Sequence, residues 1–322
     1  MQINKSLLVG TALFCCCPFI VKSQDLMAMA DSIQKASQPP PPLESTWKDT
    51  KLINAQTTKT VAPGVMVFRV QHRFGNMGVQ SNGGIHTLYG FDVVTDIYLG
   101  FEFGILKNLQ VGFGRSKDNE LLDASVKYRP LTQKSVGMPI SLALYGDAAI
   151  TPMLSSVFYS GADSSWIKNS NISDRISYVG ELLIDRKFGR VGSLELIAGF
   201  SHRNYVLALT NPSNNSRDSN NIAYLGAAAR ICLSKHASLV FDYYYYTGNG
   251  LTFSPYRTNN SLLQYYNCFS VGYEIETGGH VFEINLSNGA YMNENNIIPT
   301  TIDSWTKGGF KLGFSISRAF NI

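Results

Sequence analysis

The sequence predicts an all-β fold, a closed antiparallel transmembrane β-barrel of about twelve strands, and three observations lead to it. From Gly64 to the C-terminus the chain breaks into runs that alternate apolar and polar residues, the period of a strand with a different environment on each face. The runs are mostly 10–14 residues long, whereas globular strands average about 5–6 and a tilted membrane strand needs roughly 9–11. Connections between them mostly alternate between long polar segments and short turns, the asymmetry of outer-membrane barrels.

Taken in order, the chain opens with Lys5 and an apolar run, Leu7 to Val21, followed by "KSQD". A basic start and a run too short to span a bilayer predict a secretory signal peptide. Val21 and Ser23 suit a cleavage site, which places the signal at residues 1–23 and takes Cys15, Cys16 and Cys17 with it. Residues 24–63 read as a periplasmic linker, because "SQPPPPLES" (Ser37 to Ser45) lacks the amide donors that helix or ladder bonding requires. Within it, Thr50 to Thr58 ("TKLINAQTT") reads as a short strand or as a segment tucked inside the domain.

The barrel occupies residues 64–322, with strands expected at 64–74, 95–105, 108–116, 119–130, 137–150, 174–188, 193–204, 220–233, 236–247, 264–277, 279–288 and 306–322. An even count suits bacterial barrels. Leu99, Phe101, Phe103 and Ile105 show the apolar parity, which should face lipid. Long connections fall at 75–94, 151–173, 205–219, 248–263 and 289–305, and short ones at 106–107, 131–136, 189–192, 234–235 and 278. Only 117–118 is short where a long one is due, and both termini then lie on the periplasmic side. A last strand running to the C-terminus is required, because a closed barrel pairs its final strand with its first.

Composition narrows the function. Charged residues make up 16%, and the formal charge of +4 is dispersed with no Lys/Arg block, which argues against a nucleic-acid partner. No later stretch reaches 18 apolar residues, so no membrane helix is expected.

The polar parity should line the lumen. Its charged members are Arg69, Arg73, Glu102, Asp123, Lys127, Arg129, Glu181, Asp185, Lys187, Glu195, Arg230, Asp242, Glu274, Glu283 and Lys311. Tyr244 and Tyr246, from "DYYYYTG", fall at the lumen mouth. Cys232 and Cys268 share the polar parity and could form one disulfide or be two small buried residues. His72 and His202 are the candidates for a metal, but their parity is that of lipid-facing residues near a rim, so no metal site and no cofactor is expected. Ser201 and His202 are adjacent and point to opposite faces, so they cannot pair as a nucleophile and base.

Several stretches together carry a resemblance: "FRVQHRFG" (Phe68 to Gly75), "GFGRS" (Gly112 to Ser116), "VKYRPLTQ" (Val126 to Gln133), "HRN" (His202 to Asn204), "ETGGHVFEINLSN" (Glu276 to Asn288) and "GFSISRAF" (Gly313 to Phe320). Their order resembles an uncharacterised family of outer-membrane β-barrels from Gram-negative bacteria, domain-of-unknown-function family 5777. The resemblance spans roughly residues 50 to 322 and implies a barrel and a location, with no activity to carry over. A C-terminal strand ending in Phe320 looks like the signal read by the outer-membrane assembly machinery.

The expected partners are outer-membrane lipid, that machinery and small solutes. The expected function is a narrow channel for small solutes, with Arg69, Arg73, Lys127, Glu102, Glu181 and Glu283 setting selectivity. The alternatives are a closed barrel that acts structurally or through its outer loops, and an outer-membrane lipid hydrolase.

Overall fold

A computed structural model describes residues 46–158, 171–206, 219–247 and 265–322. The expected signal peptide, the Pro-rich stretch and much of three long connections lie outside the described residues.

The described chain starts with a small hairpin, β1 (Lys51–Leu52) and β2 (Ala55–Gln56). Six long strands follow: β3 (Val65–Asn76), β4 (Val94–Leu106), β5 (Leu109–Ser116), β6 (Leu122–Leu131), β7 (Ser141–Ile150) and β8 (Ile176–Phe188). The second six are β9 (Gly192–Arg203), β10 (Asn221–Cys232), β11 (Ala237–Thr247), β12 (Cys268–Thr277), β13 (His280–Ser287) and β14 (Lys311–Asn321). Each pairs antiparallel with its neighbours in sequence, and β14 pairs with β3 to close a twelve-stranded barrel. Every expected run became a strand. The largest differences are at three starts, 141, 268 and 311, each set a few residues later than the alternation suggests.

Short turns gather at one end, the turn rim, with both barrel termini. Long connections gather at the other, the loop rim, together with the short β5–β6 link at 117–121. Two short helices, α1 (Ser155–Phe158) and α2 (Glu294–Thr300), lie in loop-rim connections. Among the described residues no helix is long and apolar enough to cross a membrane.

The polarity is that of a globular protein turned inside out. Phe101, Phe113, Leu144, Phe200, Leu225 and Ile284 are exposed on the outer wall, while Arg69, Lys127, Glu195 and Asp242 are buried inside. A continuous exposed apolar band suits hydrocarbon and not water.

Two glycines show how tightly the interior is filled. A Cβ on Gly104 would lie 2.0 Å from the Ala62 carbonyl, where the incoming chain crosses β4 and Pro63 bridges to Gly104. A Cβ on Gly199 would lie 2.1 Å from the Tyr224 ring.

Candidate functional site

The lumen is where the polar side chains converge, and the protein's own chain fills it from both ends. From the turn rim comes an N-terminal insert, residues 46–61, with β1 and β2 at its tip. Of the two sequence readings of Thr50 to Thr58, a short strand or a tucked segment, both describe it: the strands are two residues each and the segment is buried. The periplasmic-linker reading therefore does not extend to residues 46–61.

Wall charges grip this insert. Arg69 donates through Nη1 and Nη2 to the two Asp49 oxygens, both at 2.7 Å, a two-pronged geometry that strengthens an ion pair. Ser317 Oγ adds a bond to Asp49 Oδ2 at 2.6 Å. Burial alone would raise the Asp49 carboxyl, but the adjacent Arg69 guanidinium outweighs it and holds the group at about 2. Burial pushes the Lys59 ammonium below its usual range.

Further in, the Trp47 indole donates to Asp185 Oδ2 at 2.6 Å, the Thr58 amide to Glu195 Oε2 at 2.9 Å and the Lys127 ammonium to the Thr50 carbonyl at 2.8 Å. At the tip the Ile53 amide donates to Glu283 and the Asn54 amide to Asp242, while Arg73 Nη2 reaches Asn54 Oδ1 at 2.9 Å. Ile53 itself sits at φ 46°, a strained backbone for a β-branched residue, which persists because these bonds over-determine it.

From the loop rim a second insert descends, the β13–β14 connection carrying α2. Ile297 and Ile298 are fully buried, and Asn295 Nδ2 donates to Asp147. The inserts meet at Lys51, whose ammonium lies 2.9 Å from Glu294 Oε1 and 2.6 Å from the Met292 carbonyl. Gln56 Nε2 also donates to Glu294 Oε1, at 3.0 Å. Around this junction Trp47, Leu52, Ile53, Ile297 and Ile298 pack against Leu183, Ile197, Tyr224 and Tyr244 of the wall. A void of about 10 Å³ beside Lys51, Tyr98, Tyr145 and Glu294 is room for roughly one water.

The charged parity therefore lies inside, but against these inserts and not against an open water column. Arg69, Arg73, Asp123, Lys127, Glu181, Asp185, Glu195, Arg230, Asp242, Glu274, Glu283 and Lys311 are all buried. Arg230 pairs with Glu274 at 2.7 Å, and Lys311 pairs with Asp303. Glu102 is half-buried and 3.3 Å from Arg69, while Arg129 and Lys187 are half-buried at the turn rim.

Tyr244 and Tyr246 are fully buried in the internal core, not presented at an open mouth, because α2 and its flanks cover them. Cys232 and Cys268 are both free thiols. Cys232 is opposite Ser238 beside the turn rim and Cys268 opposite Tyr244 toward the loop rim, so the barrel's height separates them. His72 on β3 and His202 on β9 are six strands apart, on opposite sides of the barrel, and cannot share a ligand. His72 stacks on Phe314, while both His202 ring nitrogens face Asn side chains, Asn221 and Asn204. Among the described residues no group of three or more His, Cys, Asp or Glu is placed to hold a metal. Ser201 is buried on the inner face, away from His202 on the outer.

Sequence reasoning missed Asp49, Lys51, Asn54, Asp147 and Glu294. Asp147 follows the inward parity of β7 and was legible. Glu294 lay in a stretch read as an outer loop, and the signal against that was the apolar pair Ile297–Ile298 inside an Asn-rich segment.

A family profile described as "Membrane bound beta barrel domain (DUF5777)" matches residues 47–320, and the chain belongs to that family. No curated protein matches. Among solved structures, the NanC porin aligns at 6% identity with a TM-score of 0.44, covering 80% of this chain and 100% of that one. The KdgM porin aligns at 7% and 0.40, covering 80% and 99%. LpxR from Salmonella typhimurium aligns at 10% and 0.36, covering 80% and 100%.

Proposed function

We propose that this member of the membrane-bound β-barrel family is an outer-membrane channel for small solutes that rests closed, and that the N-terminal insert is its plug. Export through the signal at residues 1–23 and insertion by the machinery that reads the strand ending at Phe320 are part of the same reading.

One observation carries it. The wall grips the insert largely through ion pairs and hydrogen bonds, the interactions that water can replace one for one when the insert leaves. Both described ends of the insert, Thr46 beside Ser193 and Val61 beside Gln110, lie toward the turn rim, so it can be drawn back without unthreading. The strained Ile53 tip favours release once its bonds are lost.

A second reading, a permanently sealed structural barrel, is favoured by the apolar core that unites both inserts with β7–β12.

Planar-bilayer recording separates the two. The full-length chain should be silent. The same chain with Gly/Ser in place of residues 46–61 and 289–301 should conduct steadily, after heat-modifiable gel mobility has shown that it is folded. A folded but silent variant would refute the channel.

A further inference from the structure

The lumen wall is not electrically uniform. Buried wall carboxylates outnumber buried wall cations among the described residues, and Lys127 on β6 and Arg230 on β10 are the cations that flank the acidic stretch between them. Asp147 on β7, Glu181 and Asp185 on β8 and Glu195 on β9 form an acidic arc. Arg69 and Arg73 on β3 and Lys311 on β14 stand about half a circumference away. Within the arc, Glu181 Oε2, Asp185 Oδ1 and Glu195 Oε1 are buried without a hydrogen-bond partner. Buried carboxylate oxygens with spare capacity are costly unless something cationic or a donor serves them.

The same arc is interleaved with apolar and aromatic side chains facing inward, among them Val179, Leu183, Ile197, Tyr145 and Tyr224. The insert that occupies this space is cationic and apolar overall: it meets the arc with donors, the Trp47 indole and the Thr58 amide, while Lys48 pairs with Glu276 and Lys51 with Glu294. Residues 46–61 carry Lys48, Lys51 and Lys59 against a single acid, Asp49. Lys51 presents an ammonium, and Leu52 and Ile53 behind it add an apolar body to the internal core.

We infer that the opened lumen favours organic cations, protonated amines carrying an apolar or aromatic body, over anions, and that the Lys51–Ile53 stretch occupies the place such a solute takes. The inference rests on the plug reading above. An ammonium would meet the acidic arc, its body would lie along the Leu183–Ile197–Tyr224 surface, and the Arg69–Arg73–Lys311 side would repel a second cation and orient a zwitterion.

The test uses the full-length chain with Gly/Ser in place of residues 46–61 and 289–301, in a planar bilayer under a KCl gradient. The zero-current potential should report a several-fold preference for K⁺ over Cl⁻. Phenethylamine should reduce the current at lower concentration than ethylamine, and phenylacetate, the same body with the opposite charge, should not. E181Q/E195Q should move the permeability ratio toward one and weaken the phenethylamine effect, while R73Q should raise the ratio. A conducting channel that prefers anions, ignores E181Q/E195Q or treats phenethylamine and phenylacetate alike overturns this inference and leaves the plug standing. A folded, silent barrel overturns both.

Discussion

The junction of the two inserts offers the sharpest perturbation. Lys51 and Glu294 are 2.9 Å apart with side chains only 4% and 1% exposed. In K51M the Glu294 carboxylate loses its ammonium and keeps the Gln56 amide among its partners. Breaking a buried pair from one side costs about 3–5 kcal/mol, whereas removing both charges is often close to neutral. At 1.4 kcal/mol per decade, the docked-to-undocked ratio of the insert should fall by roughly two to three and a half orders of magnitude. The pairing partner in the assay is Cys268, fully buried with Asn54 Nδ2 3.8 Å from its sulfur. In a C232S background, the rate of maleimide labelling of Cys268 in folded protein reports undocking. K51M should label far faster than the parent, and K51M/E294Q should return most of the way. Labelling of K51M within threefold of the parent, or a double variant as fast as the product of the singles, would refute a coupled latch.

Acid should release the same insert through a different group. The Asp49 carboxyl is held at about 2 against an ordinary 3.8, so its contribution is fully present above about pH 4 and is lost as pH falls through 2. The shift is worth about 2 kcal/mol, and Cys268 labelling, read here with 2,2′-dipyridyl disulfide, which still reacts with thiols in acid where maleimide does not, should accelerate over that window in the parent but not in D49N. At the loop rim, burial with the neighbouring Asp96 charge pushes Asp118 up to about 6. Folding therefore favours its protonated form and loses stability as pH rises from 4 to 6. D118N should raise the thermal midpoint in detergent at neutral pH and leave it unchanged well below pH 4. Finally, G104A places a Cβ 2.0 Å from the Ala62 carbonyl and should loosen the incoming chain by about 1–3 kcal/mol, read as faster Cys268 labelling. G180A meets nothing within 4 Å and should leave labelling unchanged.

The wall was legible because two environments meet across a single strand. Alternation in Leu99–Phe101–Phe103 against Gly100–Glu102 states directly which side chain meets lipid, and the register observed between β3 and β4 preserves it. The inserts were harder to read because they form no ladder with the wall. Their bonds to the wall run through its side chains, as from Lys127 to the Thr50 carbonyl or from the Ile53 amide to Glu283, and such contacts across more than 70 residues leave no period in the sequence. Charge on the polar parity showed that the lumen is ionic. It did not show that Asp185 faces Trp47 and Thr58 in place of water. The Asn-rich composition of 289–305 pointed outward, and only Ile297 and Ile298 pointed in.

The separation of wall and insert would let the proposed plug move without unfolding the barrel. The β-ladder closes on itself from β3 to β14, so every strand keeps both neighbours whether or not residues 46–61 are in place. Docking of the insert is then a second equilibrium laid over a stable scaffold, with its own small free energy set by opposing terms. Asp49 with Arg69 and Lys51 with Glu294 favour the docked state, while strain at Ile53 and the carboxylate oxygens left unpartnered along the acidic arc oppose it. A plug of packed aliphatic residues alone would leave an apolar wall when it withdrew. This one would leave carboxylates and guanidinium groups that water can solvate, which is the condition for a closed lumen to become an open one.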